Sequence, residues 1–164
     1  MPSRAIGMDK PLFTDLLCAI LAIMLLWAAV VDIKTRTIAN GLNLAIALMA
    51  PLFWWSMGVH LWPDAAIRVA VAVAVFMLFA LAFQLGAMGG GDVKLAAALA
   101  LWFAPGDTLL LIVIMSLAGG VLTAIVMIEH KIKKNAGRPE VPYGVAIAFG
   151  ALWLLAQRFL NHFA

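Results

Sequence analysis

The stretch QLGAMGGGDVKLAAALALWFAP, residues 84–105, decides how this chain is read. Its second half is an apolar helix ended by Pro105. Its first half sets three consecutive glycines, Gly89, Gly90 and Gly91, before Asp92 and Lys94. Glycine costs a helix interior about 1 kcal/mol, and a charge at bilayer depth costs roughly 2.5–3.5 kcal/mol on insertion scales. The segment is therefore either a soluble loop or a specialised place in a membrane. The surrounding composition decides between them: 66% of the 164 residues are hydrophobic, 12% are charged, and the mean hydropathy is +1.08. That is an integral membrane protein, in contact with the lipid bilayer, and not a soluble domain.

Composition also excludes other classes. Cys18, the sole cysteine, can form no internal disulfide or cysteine-rich zinc site, and in its apolar run it reads as a small buried hydrophobe. His60, His130 and His162 are scattered without metal-ligand spacing, so neither a metal nor another cofactor is expected. The net charge of +3 comes largely from loops, where basic residues set orientation, so no nucleic-acid partner is implied.

Six apolar segments run roughly over 12–31, 41–58, 66–87, 93–104, 108–128 and 143–160. They predict an all-α polytopic fold with about six transmembrane helices and a single membrane-embedded domain over 1–164, with no separate soluble domain. Arg4 and Lys10 precede the first segment, but its length and the lack of an A-x-A site make it a retained helix and not a signal peptide. Most segments approach the ~20 residues needed to cross the hydrocarbon. The fourth covers only about 18 Å before Pro105, which predicts a tilted helix or a glycine turn recessed below the surface.

Basic residues orient the bundle. Lys34, Arg36, Lys94, Lys131, Lys133, Lys134 and Arg138 share one side, against Arg4, Lys10, Arg68 and Arg158 on the other. The richer side is expected in the cytoplasm, with both termini outside and with Trp54, Trp55, Trp62 and Trp102 near the outer interface.

Asp32 then ends the first helix and Asp92 opens the fourth, both on the cytoplasmic side. If those two helices pack together, their carboxylates face across a small gap. Two carboxylates that close share one proton, which gives one general base and one general acid. That is aspartic-protease chemistry. Gly89, Gly90 and Gly91 would let an extended peptide approach and can adopt positive φ. Lys94, in a first helical turn, is expected to meet a carboxylate or to snorkel. Either aspartate alone reads as readily as a helix cap or helix end.

Three stretches together resemble a family. VVDIKTRTIANGLNL is similar to its first motif, an Asp at a helix end followed by basic residues and I-P-N. MGGGDVKLAAALALW is similar to its second, G-x-G-D-x-K-L, and VPYGVAIAFGAL to a Pro-Tyr-Gly stretch opening the last helix. The family is the GxGD-type prepilin peptidases, and the likeness is to the short Flp-type (tight-adherence) branch, over about Val30 to Leu152. It implies a multi-pass aspartic endopeptidase of the bacterial inner membrane. Such an enzyme removes the basic leader of a Flp-type pilin or pseudopilin after a glycine, for pilus assembly. Asp32 and Asp92 match its catalytic aspartates, Gly89 and Gly91 its motif glycines, Lys94 its lysine and Asn40 the Asn of I-P-N. Ala39 stands where proline is common. Only KTRTIAN separates the first two helices, so no methyltransferase insert is expected.

Several flanking residues are expected to be structural. Tyr143 reads as an interfacial anchor, and Ser116, Gly119 and Gly120 as close-packing positions. Glu129 and Glu140 are weaker candidates for touching the leader. Two rival functions remain at this level. One is a small proton-coupled transporter using the membrane carboxylates; the other is a non-catalytic pilus scaffold.

Overall fold

A computed structural model describes residues 9–133 and 141–163. Within them the chain forms α1 (Asp9–Thr35), α2 (Asn40–Met57), α3 (Ala66–Gln84), α4 (Gly90–Ala100), α5 (Pro105–Lys133) and α6 (Tyr143–Phe163), with no strand among the described residues. A short π-helical turn, Leu61–Ala65, leads into α3. Each expected apolar segment is a helix. By length and composition, however, four are fit to cross a membrane: α1, α3 with its leading turn, α5 and α6. Asn40, Asn43, Pro51 and Ser56 dilute α2, and α4 has only 11 residues.

Outward faces are as apolar as inward ones. Leu12, Ile23, Trp27, Leu48, Leu117 and Val121 are all exposed. A helix without a polar face is at home in hydrocarbon, where its backbone groups are satisfied internally.

The core gathers around α4. Val93, Leu95, Ala96, Ala98, Leu99 and Ala100 are buried there, against α2, α3 and α6. In turn α1 packs on α2 and α6. The condition under which the aspartates would face each other, direct packing of α1 on α4, is not met by any extensive interface between the two. Neighbours on both sides fill that space, so any meeting of Asp32 with Asp92 must be arranged at the helix ends.

The fourth helix ends early, at Ala100. A helix that stops inside a bundle leaves its last carbonyls without partners. Trp54 Nε1 donates to Leu101 O at 2.7 Å, and Arg68 Nη1 donates to Trp102 O at 2.8 Å. Trp102 Nε1 donates in turn to Ile46 O at 2.9 Å. Trp54 and Trp102 are therefore buried hydrogen-bond donors, Trp54 at the end of α4 and Trp102 to the middle of α2, whereas Trp55 and Trp62 are exposed.

Of the expected packing positions, Gly119 lies against the Tyr143 ring, while Ser116 and Gly120 face outward. Tyr143 is a packing residue too, its hydroxyl 3.2 Å from Thr123 Oγ1. Arg4, Lys134, Arg138, Pro139 and Glu140 lie outside the described residues.

Candidate active site

Asp32 occupies the last turn of α1. That helix ends because Arg36 takes a left-handed backbone (φ 54°), its N–H bonding Asp32 O at 2.9 Å. The Asp32 side chain is 3% exposed, and its Oδ2 is buried without a hydrogen-bond partner. It faces the first turn of α6, where it lies against Gly144. A helix N-terminus suits an anion there.

Asp92 is the third residue of α4 and is 7% exposed. It accepts the Gly89 N–H at 3.2 Å, closing the first turn on itself. Asp92 is thus not the N-cap; Gly89 holds that position, in extended backbone (φ −75°, ψ 145°).

The glycines do something other than what their conformational freedom suggests. A Cβ on Gly89 would stand 2.8 Å from Asp92 Oδ2, and one on Gly144 would stand 2.8 Å from Asp32 Oδ2. Each aspartate is seated on a glycine. Gly91 is also a contact glycine, since its Cβ would meet the Ile38 backbone at 3.1 Å. Gly90 and Gly91 form the first helical turn, so the expected glycine loop is largely helix. Positive φ falls instead on Gly86, one turn upstream. Replacing Gly91 with alanine forces two backbones apart, and we expect it to cost ~1–3 kcal/mol, the usual range for overpacking. Thermal unfolding in detergent measures this.

Ile38 joins the two halves. It is buried, touches Gly91, and sets its Cδ1 2.6 Å from where a Gly144 Cβ would be. Through it the end of α1, the start of α4 and the start of α6 converge. The two carboxylates thus stand at one end of the bundle, with Ile38 between the elements that carry them. Ala39, next in sequence, has φ −64°, the angle proline would impose. The departure from I-P-N therefore leaves the turn into α2 in the proline geometry.

Lys94 donates to Asn40 Oδ1 at 2.7 Å, an exposed link between α4 and α2, and pairs with no carboxylate among the described residues. Asn43, a residue that motif reading passed over, is 4% exposed and donates from Nδ2 to Gly91 O at 2.9 Å. Glu129 pairs with Lys133 on the surface of α5.

One end of the bundle therefore unites Asp32, Asp92, Gly89, Gly91 and, at its edge, Asn40 with Lys94. It adds Ile38, Asn43 and Gly144. All three lay in quoted motifs, Ile38 and Asn43 in the first and Gly144 in the Pro-Tyr-Gly stretch, and none was given a role.

Against known families, the sequence model described as the type IV leader peptidase family (Peptidase_A24) matches residues 19–124. The chain belongs to the type IV leader peptidase family. It is thus a peptidase of a membrane-protein family, in keeping with its four long apolar helices. Comparison with curated proteins and with solved structures gave no significant match. The leader peptidase match takes in both aspartates and stops before α6, so Gly144 comes from outside it.

Proposed function

We propose that this leader peptidase is an aspartic endopeptidase with Asp32 and Asp92 as its catalytic pair. It removes the basic leader of a Flp-type prepilin or pseudopilin after a glycine, at the cytoplasmic face of the bacterial inner membrane, for pilus assembly. The observation that carries the reading is the convergence of two buried carboxylates, from helices that do not pack on each other, at one end of the bundle. Burying an unpaired carboxylate is costly, and burying two at one end of a bundle is more so. Stability alone gives no reason for that arrangement.

The chemistry follows from the shared proton. The ionised aspartate takes a proton from water, whose oxygen attacks the peptide carbonyl carbon. The protonated aspartate gives its proton to the carbonyl oxygen. Collapse of the tetrahedral intermediate breaks the C–N bond, and the first aspartate protonates the departing amine. The gem-diol proton returns to the second aspartate, so the pair again holds one proton. A proton-coupled transporter would string carboxylates along a path through the bundle, whereas these two lie at the same end. Only Arg36 to Ala39 separate α1 from α2, which supports a peptidase without a methyltransferase insert at that place.

Purified enzyme in liposomes, given a Flp-type prepilin, is expected to release a product whose new N-terminus follows the leader glycine. The rate is expected to be bell-shaped in pH. Below the lower apparent pKa both carboxylates are protonated and no base remains. Above the upper one both are ionised and no acid remains. Initial rates from pH 4 to 9 check this, and a flat profile would count against a shared proton.

A further inference from the structure

The neighbours of α4 leave one side of it uncovered. Both α2 and α3 pack on α4 but not extensively on each other, and between them lies a groove of about 510 Å³ open to the lipid-facing surface. Its walls and floor include Ala47, Ala72, Ala97 and Ala98. Small residues of this kind let another helix backbone come close in a bilayer.

The groove is polar at one end alone, where Asn40, Asn43 and Lys94 lie. That end adjoins the candidate site, because Asn43 Nδ2 is bonded to the carbonyl of Gly91, the neighbour of Asp92. Asn43 has a second, unused capacity: its buried Oδ1 has no donor. A lipid acyl chain brings no donor to such a place. The first turn of a helix does, since its leading N–H groups lack intrahelical acceptors.

We propose that this groove seats the apolar helix of the substrate, which enters sideways from the lipid between α2 and α3. Its N-terminal turn lies at Asn43, and the peptide preceding it passes Gly91 toward Asp92. The assignment rests on the peptidase reading. It fixes the direction of the substrate: the apolar helix lies along α4, and the leader leaves from the aspartate end. A rotation of the Asn43 side chain, whose Oδ1 is closed off in the free enzyme, brings this acceptor without a donor to the substrate's donors without acceptors.

Val73, on the α3 wall and half exposed, tests it. A Val73→Trp enzyme, with unfolding temperature unchanged, is expected to raise KM for prepilin at least tenfold with kcat within twofold. Val121→Trp, on the exposed face of α5, is expected to change neither. A photo-crosslinking benzophenone side chain at Val73 is expected to capture prepilin, and one at Val121 is not. Capture at Val121 alone, capture of lipid alone at Val73, or an unchanged KM in Val73→Trp would overturn the groove while wild-type cleavage still upheld the peptidase. Failure of the wild-type enzyme to cut any prepilin would remove both.

Discussion

Asp32→Asn is expected to leave a folded, membrane-inserted protein that cleaves prepilin at least ~10³-fold more slowly than wild type, within the range general acid–base groups contribute. Asparagine keeps the size of aspartate and fits the same space against Gly144. It also removes a buried charge whose Oδ2 has no hydrogen-bond partner. Stability should therefore hold or rise while the reaction stops, a combination that a purely structural aspartate would not give. Unfolding temperature in detergent and initial cleavage rate, measured on one preparation, separate the two. The loss in kcat should far exceed any change in KM, because the carboxylate acts on the reacting atoms and not on the apolar helix.

Gly144→Ala is expected to reduce kcat by ~10²-fold or more, although no charge is touched. The added methyl carbon would stand 2.6 Å from Ile38 Cδ1 and 2.8 Å from Asp32 Oδ2. Ile38 has little freedom to yield, since its other side meets Gly91. The carboxylate moves instead, and misplacing a catalytic group by about 1 Å is enough for a loss of this order. The strain should also lower stability by ~1–3 kcal/mol. A Gly144→Ala enzyme with wild-type kcat would show that Asp32 need not rest on that glycine.

These two residues mark what was legible in the sequence and what was not. The helical class and the six apolar segments follow from composition and run length, because hydrocarbon permits few other solutions. The two aspartates were legible as ionisable residues at helix ends in an otherwise apolar chain, and the motifs around them led to the family that the chain belongs to. The meaning of the glycines was not. Sequence tells that Gly89 and Gly91 lack side chains, but not which atoms press against the vacant Cβ positions. Those atoms come from Asp92 and from Ile38, the latter some fifty residues away. Gly144 was hidden for the same reason, its partners lying on α1 and in the loop after it. Sequence also did not tell that Trp54 and Trp102 are buried donors, one to the carbonyl just past the early end of α4 and the other to Ile46 on α2. Lys94 was expected to meet a carboxylate or to snorkel; it is exposed, and its partner is the amide oxygen of Asn40.

The most direct test of the central claim is the intact mass of a Flp-type prepilin co-expressed with the wild-type enzyme and, separately, with Asp92→Asn at equal membrane levels. The account predicts a pilin shortened by its leader, cut after the glycine, with wild type alone and a full-length pilin with the variant. Equal shortening with Asp92→Asn would contradict it, and Asp92 would then be a helix-capping residue beside a reaction carried out elsewhere.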